Sequence, residues 1–430
     1  MTGADSALLT KPLKVAVLVD LPRSEGSGGH VKCWENIAKS VATGPASLDM
    51  TVYFSGEKRE EALAPHVRFR QLPPIFSTAR LKFLPYMPDT TDLAPYHARL
   101  AGELKKYDVI HTTDGYFAFA QTAANISRRY GIPLVTSFHT DTPSYARIFT
   151  RQTIDQWVGR WPKIRSFLND RLQIPEKQGR AMEAKLAKHL AACRFALVSR
   201  PEDQAVAERI LSPSRVKALR LGIDKQMFGS HRRDRAGLMQ HCGLKPDRFT
   251  ALFVGRVDIG KNIYTLIEAA ERLIAEGMPL HVLIAGVGPA EADVKRRLGA
   301  DATIAGYVKP DELARLYASV DVLTLTSEVE IRSMVGGEAL VSGCPVLVSE
   351  KSGIAPLFDN TSAMQVVAGG GEEWAVALKS LMQNTQKLEA MRESATSYAK
   401  SHLAGWDQVL AEDLLPVWQR AYSEAQKTAV

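Results

Sequence analysis

The chain has 430 residues, 45% of them hydrophobic and 23% charged, with a net charge of +7 at neutral pH. That length has room for two or three domains, and that balance belongs to a folded globular protein. No apolar run approaches the roughly 18–20 residues of a membrane span, and VAVLV at 15–19 is too short for a signal peptide core, so spanning and secreted classes are set aside.

Cys33, Cys193, Cys242 and Cys344 lie far apart with no Cys-x-x-Cys pair. They read as reduced, mostly buried thiols of a cytoplasmic protein, neither a disulfide framework nor a zinc site. Charge is unevenly shared. Residues 1–200 carry 28 Lys+Arg against 18 Asp+Glu, and residues 201–430 carry 26 against 29. The basic half should meet something anionic: a membrane face or a phosphorylated acceptor, before nucleic acid.

In chain order, LKVAVLVD (13–20) is a short, continuous apolar run, the mark of a buried parallel strand. SEGSGGH (24–30) is a glycine turn, and VKCWENIAKSVA has helical periodicity. Strand patterns recur at 50–56, 108–115, 133–141, 195–200 and 216–224, with helical YFAFAQTAANISRRYG and PEDQAVAERI between them. A second series begins with the strand TALFVGRV (250–257), the amphipathic NIYTLIEAAERLIAEG and the strand PLHVLIAGVG (279–288). It continues through TIAGYV, DELARLYASV, DVLTLTSE, a helix carrying Glu338, PVLVSE and two further helices, and WDQVLAEDLLPVWQRAY (406–422) closes the chain. Two runs of alternating strands and helices predict two doubly wound α/β domains. The boundaries expected are 1–215 with 405–430, and 216–404. In such sheets ligands bind beyond the carboxyl ends of strands, which directs attention to the loops there.

Arg256 and Lys261 stand at one strand end, just before a helix. Phosphate favours cations beside a helix N-terminus, although two solvated surface cations would read the same. GVGP (286–289) is a glycine turn suited to close backbone approach. In EVEIRSMVGGEALVSGCPV (328–346), seven residues separate Glu330 from Glu338. A Glu338 carboxylate at a helix start can accept hydrogen bonds from sugar or ribose hydroxyls, with Gly336 and Gly337 keeping space clear. It can equally be a capping carboxylate, which would leave Glu330 unexplained.

The ordered set GRVDIGKN, IAGVGP, GYV and Glu330-x7-Glu338, followed by Ala339, Gly343, Pro345 and Val346, resembles the retaining, nucleotide-sugar-dependent glycosyltransferases of family 4, with the GT-B fold. SGGH, DVIH, SFHTD, LGIDKQMF and WDQVLAEDLL extend the resemblance over nearly the whole chain. It implies two Rossmann-like domains facing a central cleft, with Arg256 and Lys261 on the donor diphosphate, Glu338 on the ribose and Glu330 on the sugar. Main chain at Val308 would meet the base, and that at Ser333, Met334 and Val335 the sugar and phosphate. His139 would approach the sugar from the first domain, and Gly28 and Gly29 would give room to acceptor and phosphate. The chain departs from the pattern at Arg332 and Ser333, where relatives carry an aromatic residue and a glycine.

The chemistry expected is breakage of an anomeric C–O bond through an oxocarbenium-like state, with charge growing on the departing phosphate. The resemblance implies front-face attack with retention. No Asp-x-Asp occurs, so neither a metal nor another cofactor is expected. Residues 146–189 hold ten Lys/Arg and four Asp/Glu, interleaved with Phe149, Trp157, Trp161 and Phe167. Either this is a basic helix lying on an anionic membrane near a glycan or lipid-linked acceptor, or its aromatics pack inward beneath an ordinary solvated face. The first alternative makes the protein cytoplasmic and peripheral on the membrane. No nucleic-acid motif is present. The rival readings are a catalytically silent GT-B binding subunit and another GT-B enzyme, such as a nucleotide-sugar epimerase.

Overall fold

The structure is a computed structural model that describes residues 11–24, 26–44, 47–80, 91–242, 247–328, 333–355 and 362–429. The chain forms two compact units, Met1–Arg220 with Trp406–Val430, and Leu221–Gly405.

The first unit is built on eight strands: β1 (Leu13–Pro22), β2 (Leu48–Ser55), β3 (Arg59–Ala64), β4 (Val67–Leu72), β5 (Val109–Thr112), β6 (Leu134–Ser137), β7 (Phe195–Val198) and β8 (Val216–Ala218). Their order is β3-β4-β2-β1-β5-β6-β7-β8, parallel except where β3 runs against β4. Val15 to Val19 of β1 are fully buried, as a central strand covered on both faces requires. The sequence reading omits β3 and β4. REEALA keeps its charges because it is an exposed edge, and only Val67, Phe69 and Leu72 of β4 are buried.

Strand β8, whose pattern closes the first series although the expected boundary at 216 assigns it to the second domain, pairs with β7 as the last strand of the first sheet. Just beyond it, Arg220 is held by the last helical segment. Its backbone N–H donates to Asp413 at 2.8 Å, and its guanidinium donates to Asp413 and Glu412, each at 2.7 Å. That segment buries Val409, Leu414 and Trp418.

The basic segment is not one helix. It comprises Thr142–Val158, Pro162–Ser166, a π-helical turn Phe167–Arg171 and Ile174–Leu190. Its aromatics do not pack inward together, since Trp157, Trp161 and Phe167 are 52%, 57% and 46% exposed. Phe149 instead stacks on Tyr145, with ring centroids 5.7 Å apart.

The second unit has six parallel strands: β9 (Phe249–Val254), β10 (Leu280–Ala285), β11 (Ala302–Gly306), β12 (Val322–Leu325), β13 (Val346–Ser349) and β14 (Met364–Val367). The order β11-β10-β9-β12-β13-β14 reverses direction between β9 and β12. Side chains alternate between two cores. Val282 and Ile284 face Leu266, Ile267 and Trp374, whereas Leu283 and Ala285 face Tyr317, Leu340 and Cys344. Cys33, Cys193 and Cys344 are buried thiols outside any disulfide, and the Cys242 side chain lies outside the described residues.

The exits of β9 and β10 are pressed together. Val257 N–H donates to the Val287 carbonyl, and Ala290 N–H to that of Val257, both at 3.0 Å. A Cβ on Gly286 would lie 1.8 Å from the Gly255 oxygen, and one on Gly288 2.4 Å from that of Val257. The close approach that GVGP permits is therefore to the chain's own backbone. Gly286→Ala should lower stability by about 2–3 kcal/mol in denaturant unfolding. Gly102→Ala, in an exposed helical position with nothing within 4 Å, should raise it by about 0.5–1 kcal/mol. Equal effects would show that Gly286 packing does not limit the fold.

Candidate functional site

Where strand order reverses, two neighbouring strands send their following loops to opposite faces and leave a crevice between them. In the second unit that point lies between β9 and β12. After β9, Gly255 (φ +139°) turns the chain, and the Asp258 carboxylate accepts a hydrogen bond from Lys261 N–H at 2.9 Å. Asn262 adopts φ +52°, and the helix Ile263–Ala275 starts without a side-chain cap. After β12, Thr326 Oγ1 donates to the Lys261 carbonyl at 2.8 Å and ties the two loops together. The crevice is lined by Lys261, Thr326, Ser327, Ser333 and Val335 among others. Ser327 Oγ is buried in it with no hydrogen-bond partner among the described residues. Arg256 lies near this loop, 39% exposed and 3.4 Å from Asp258.

The next helix, Met334–Val341, begins with Ser333 as its cap, whose Oγ accepts from Gly336 N–H at 3.0 Å. The cap is therefore Ser333, and Glu338 sits in the second turn, which removes the capping explanation for its carboxylate. The N–H groups of Met334 and Val335 stand at the helix start, where a helix has no internal acceptors for them. The two glycines do not simply keep space clear. A Cβ on Gly337 would lie 2.6 Å from Ile223, and one on Gly336 3.2 Å from Leu325. They let the helix pack against its own unit. Gly343 (φ +72°) then ends the helix and returns the chain to β13.

Glu338 is 8% exposed, and its carboxylate accepts from Tyr317 O–H at 3.2 Å. Burial raises its pKa to about 7; the Tyr317 hydrogen bond opposes the rise, and the nearby Asp224 charge adds to it. Sequence reasoning missed Tyr317, which lies 21 residues upstream with no spacing that links the two. It also missed Thr326 and Ser327, although both directly follow a strand. Val308, after β11, packs against the core, while neighbouring Tyr307 is 48% exposed. Glu330 and Arg332 lie outside the described residues.

In the first unit, His139 follows β6 and is half-buried. Its Nε2 lies 2.8 Å from Ser137 Oγ and 3.3 Å from Trp34 Nε1, and its ring stacks on His30 at 4.4 Å. Gly28 precedes the helix Gly29–Thr43, and a Cβ there would meet nothing within 4 Å. The fold itself does not require that glycine. Arg23 anchors the start of this loop, donating to Glu35 at 2.6 Å and Glu61 at 2.7 Å while lying over the Phe69 ring.

The family model described as glycosyl transferases group 1 matches residues 235–398, and that described as glycosyltransferase family 4 matches residues 28–226. The chain is a glycosyltransferase of the GT-B fold. It is 22% identical over 401 residues to the sulfoquinovosyl transferase of Arabidopsis thaliana, covering 91% of this chain and 71% of that protein. It is 26% identical over 352 residues to the D-inositol 3-phosphate glycosyltransferase of a Nocardioides species, covering 77% and 71%. Among solved structures, Anabaena HepE in complex with UDP and glucose matches with a TM-score of 0.65 at 16% identity, over 97% of this chain and all of that one. The sucrose-phosphate synthase of Thermosynechococcus elongatus matches at 0.70 and 16%, over 97% and 99%. Among the described residues of this glycosyltransferase, no helix is long and apolar enough to cross a membrane.

The raised pKa of Glu338 has a definite sign. A glutamate with the ordinary value of 4.5 loses its proton in the unfolded chain well before the folded carboxyl does near 7. The folded state therefore holds the extra proton between those values. Stability is greatest below about pH 4.5 and declines up to about pH 7, by on the order of 3 kcal/mol for this group. Unfolding of Glu338→Gln followed across pH should lack that decline and should exceed wild type above pH 7. Parallel curves for the two proteins would mean that the carboxyl is not held protonated by burial.

Proposed function

We propose that this glycosyltransferase moves a sugar from a nucleotide-diphosphate sugar to a hydroxyl acceptor, with retention and without a metal. The observation that carries the reading is the β9–β12 crevice. Half-buried Lys261, the Ser327 hydroxyl, which has no partner among the described residues, and a helix start converge there, in the unit that also buries Glu338. A diphosphate needs fixed positive charge and N–H donors, and Arg256, Lys261 and the main chain of Ser333, Met334 and Val335 supply both. The developing charge on the leaving phosphate is met by the same groups, so none is required from a metal. Glu338 would accept from the ribose hydroxyls. The exposed Tyr307 and Val287 beside Val308 offer apolar surface to a base. Glu330 and His139 toward the donor sugar, and Gly28 and Gly29 toward the acceptor, complete the assignment.

In the step itself the anomeric C–O bond to the phosphate breaks and a bond to the acceptor oxygen forms on the same face. The departing phosphate takes the acceptor proton. Anabaena HepE was crystallised with UDP and with UDP-glucose, which makes uridine donors the first to test. A thermal-shift panel of nucleoside diphosphates and their sugars should raise the melting temperature with one base, by mass action on the folded state. Both Lys261→Ala and Glu338→Gln should abolish that shift, although the second variant is the more stable protein at pH 8. No shift with any nucleotide would overturn the site.

A second observation bears on the acceptor. Arg160 to Phe167 form an unbroken exposed stretch in which Arg160, Lys163 and Arg165 alternate with Trp161, Ile164 and Phe167. Apolar side chains that enter the acyl boundary beside cations that meet lipid phosphates suit an anionic membrane and a lipid-linked acceptor. This reading makes the protein cytoplasmic and peripheral. Flotation with phosphatidylglycerol vesicles should bind it at low salt, and Trp161→Ser with Phe167→Ser should reduce that binding at least tenfold. Equal binding by the variant would remove the membrane surface from the proposal.

A further inference from the structure

We infer that Trp418, His111 and Ser137 form a one-way series of hydrogen bonds that fixes His139 as the neutral tautomer protonated on Nδ1. The argument begins at the buried end. An indole N–H only donates. Trp418, fully buried in the final helix, places its Nε1 at 2.9 Å from His111 Nδ1, so that nitrogen accepts and carries no proton. His111 is itself fully buried, and burial pushes its pKa down to about 3. It is therefore neutral at any working pH, with its single proton on Nε2.

The direction then passes along the series. His111 Nε2 lies 2.9 Å from Ser137 Oγ and donates to it. A hydroxyl that accepts from one neighbour is set to donate to the next, and Ser137 Oγ lies 2.8 Å from His139 Nε2. A second donor reaches the same atom, because Trp34 Nε1, which also only donates, is 3.3 Å away. Two donors converge on Nε2, so the proton of a neutral His139 must sit on Nδ1.

The other groups around the ring agree with this assignment. His30, from the same helix as Trp34, stacks on His139 with the planes within 3°, so it bears on the ring face and not on Nε2. Asp141, two residues on, directs one carboxylate oxygen to Ser144 N–H and the other to its hydroxyl. A cationic His139 would need an Nε2–H pointing at the Trp34 N–H, two donors face to face. Trp418, His111 and Ser137 are thus positioning residues. They come from the C-terminal helix and from β5 and β6. The consequence for the reaction rests on the reading above: His139 would offer an N–H to a sugar oxygen without placing a full positive charge beside an oxocarbenium-like carbon.

The test is 15N NMR of the full-length chain labelled in its histidine rings, with the His139 signals assigned from their loss in His139→Gln. Wild type should show the Nδ1–H pattern. Ser137→Ala, which leaves Nε2 only the longer Trp34 contact, should shift it toward a mixture of tautomers, and Ser137→Thr, which keeps the hydroxyl, should restore it. Trp418→Phe should also give a mixture, and if that variant fails to fold, the serine pair still decides. An Nε2–H pattern in wild type, or an unchanged pattern in Ser137→Ala, would overturn the inference. Transfer rates of the same variants separate it from the proposed function. A tautomer change with unaltered kcat would remove His139 from the sugar site and leave the hydrogen-bond series standing.

Discussion

A parallel sheet covered on both faces leaves polar chemistry only its strand ends, and every functional residue discussed here depends on that constraint. Strands β9, β10, β12 and β13 of the second unit are almost wholly buried, and the backbone amides within them are already used in the ladder. What remains is the set of loops beyond the carboxyl ends, and among them the crevice where strand order reverses. Gly286 and Gly288 let the β9 and β10 exits press together until no side chain could fit between them. That contact fixes the path of residues 255–261. Asp258 then holds the Lys261 N–H and Thr326 holds its carbonyl, so the lysine backbone is set from both sides.

The carboxylate at Glu338 shows what such a site costs. A buried charge with one tyrosine partner is poorly compensated, and the group answers by holding its proton to about pH 7. A residue chosen for stability alone would be the amide or an apolar side chain. Keeping a glutamate in that place makes sense if a ligand supplies the missing donors, as paired ribose hydroxyls would. The Ser327 hydroxyl, unsatisfied among the described residues, points the same way. Both are local sacrifices in a core that is otherwise well packed.

Much of this architecture was legible in the sequence because buried strands announce themselves as continuous apolar runs. LKVAVLVD, TALFVGRV and PLHVLIAGVG all became central strands, and the loops after them are the ones that matter. The hairpin β3–β4 was not read, since REEALA carries the charges of an exposed edge and VRFRQL alternates Val67 and Phe69 with arginines in place of a continuous apolar run. The helix around Glu338 was legible but its start was not. Met-Val-Gly-Gly has poor helix formers in its first turn, which drew the eye to Glu338 in place of the Ser333 hydroxyl that caps it. Tyr317 and Trp418 could not be read at all. Each reaches its partner through the tertiary fold, 21 residues from Glu338 in one case and 307 from His111 in the other.

The series leading to His139 in the first unit and the Glu338 and Ser327 groups in the second handle their polar atoms in opposite ways. In the second, Glu338 and Ser327 are left under-satisfied, so a ligand that completes them is bound partly at the expense of strain already present. In the first, the polar groups leading to His139 are each matched in turn, and the last group inherits a direction set by an indole that can only donate. A matched series does not gain much from binding. It gains a defined donor on a ring that would otherwise exchange between two forms and a cation. The C-terminal helix therefore does more for the first unit than cover an apolar face. It carries Asp413, which grips Arg220, and one turn further on Trp418, which sets the tautomer. An apolar replacement of that tryptophan could fill the same volume and bury as much surface, and it would still leave the His111 proton on either nitrogen and the Ser137 hydroxyl without a set direction.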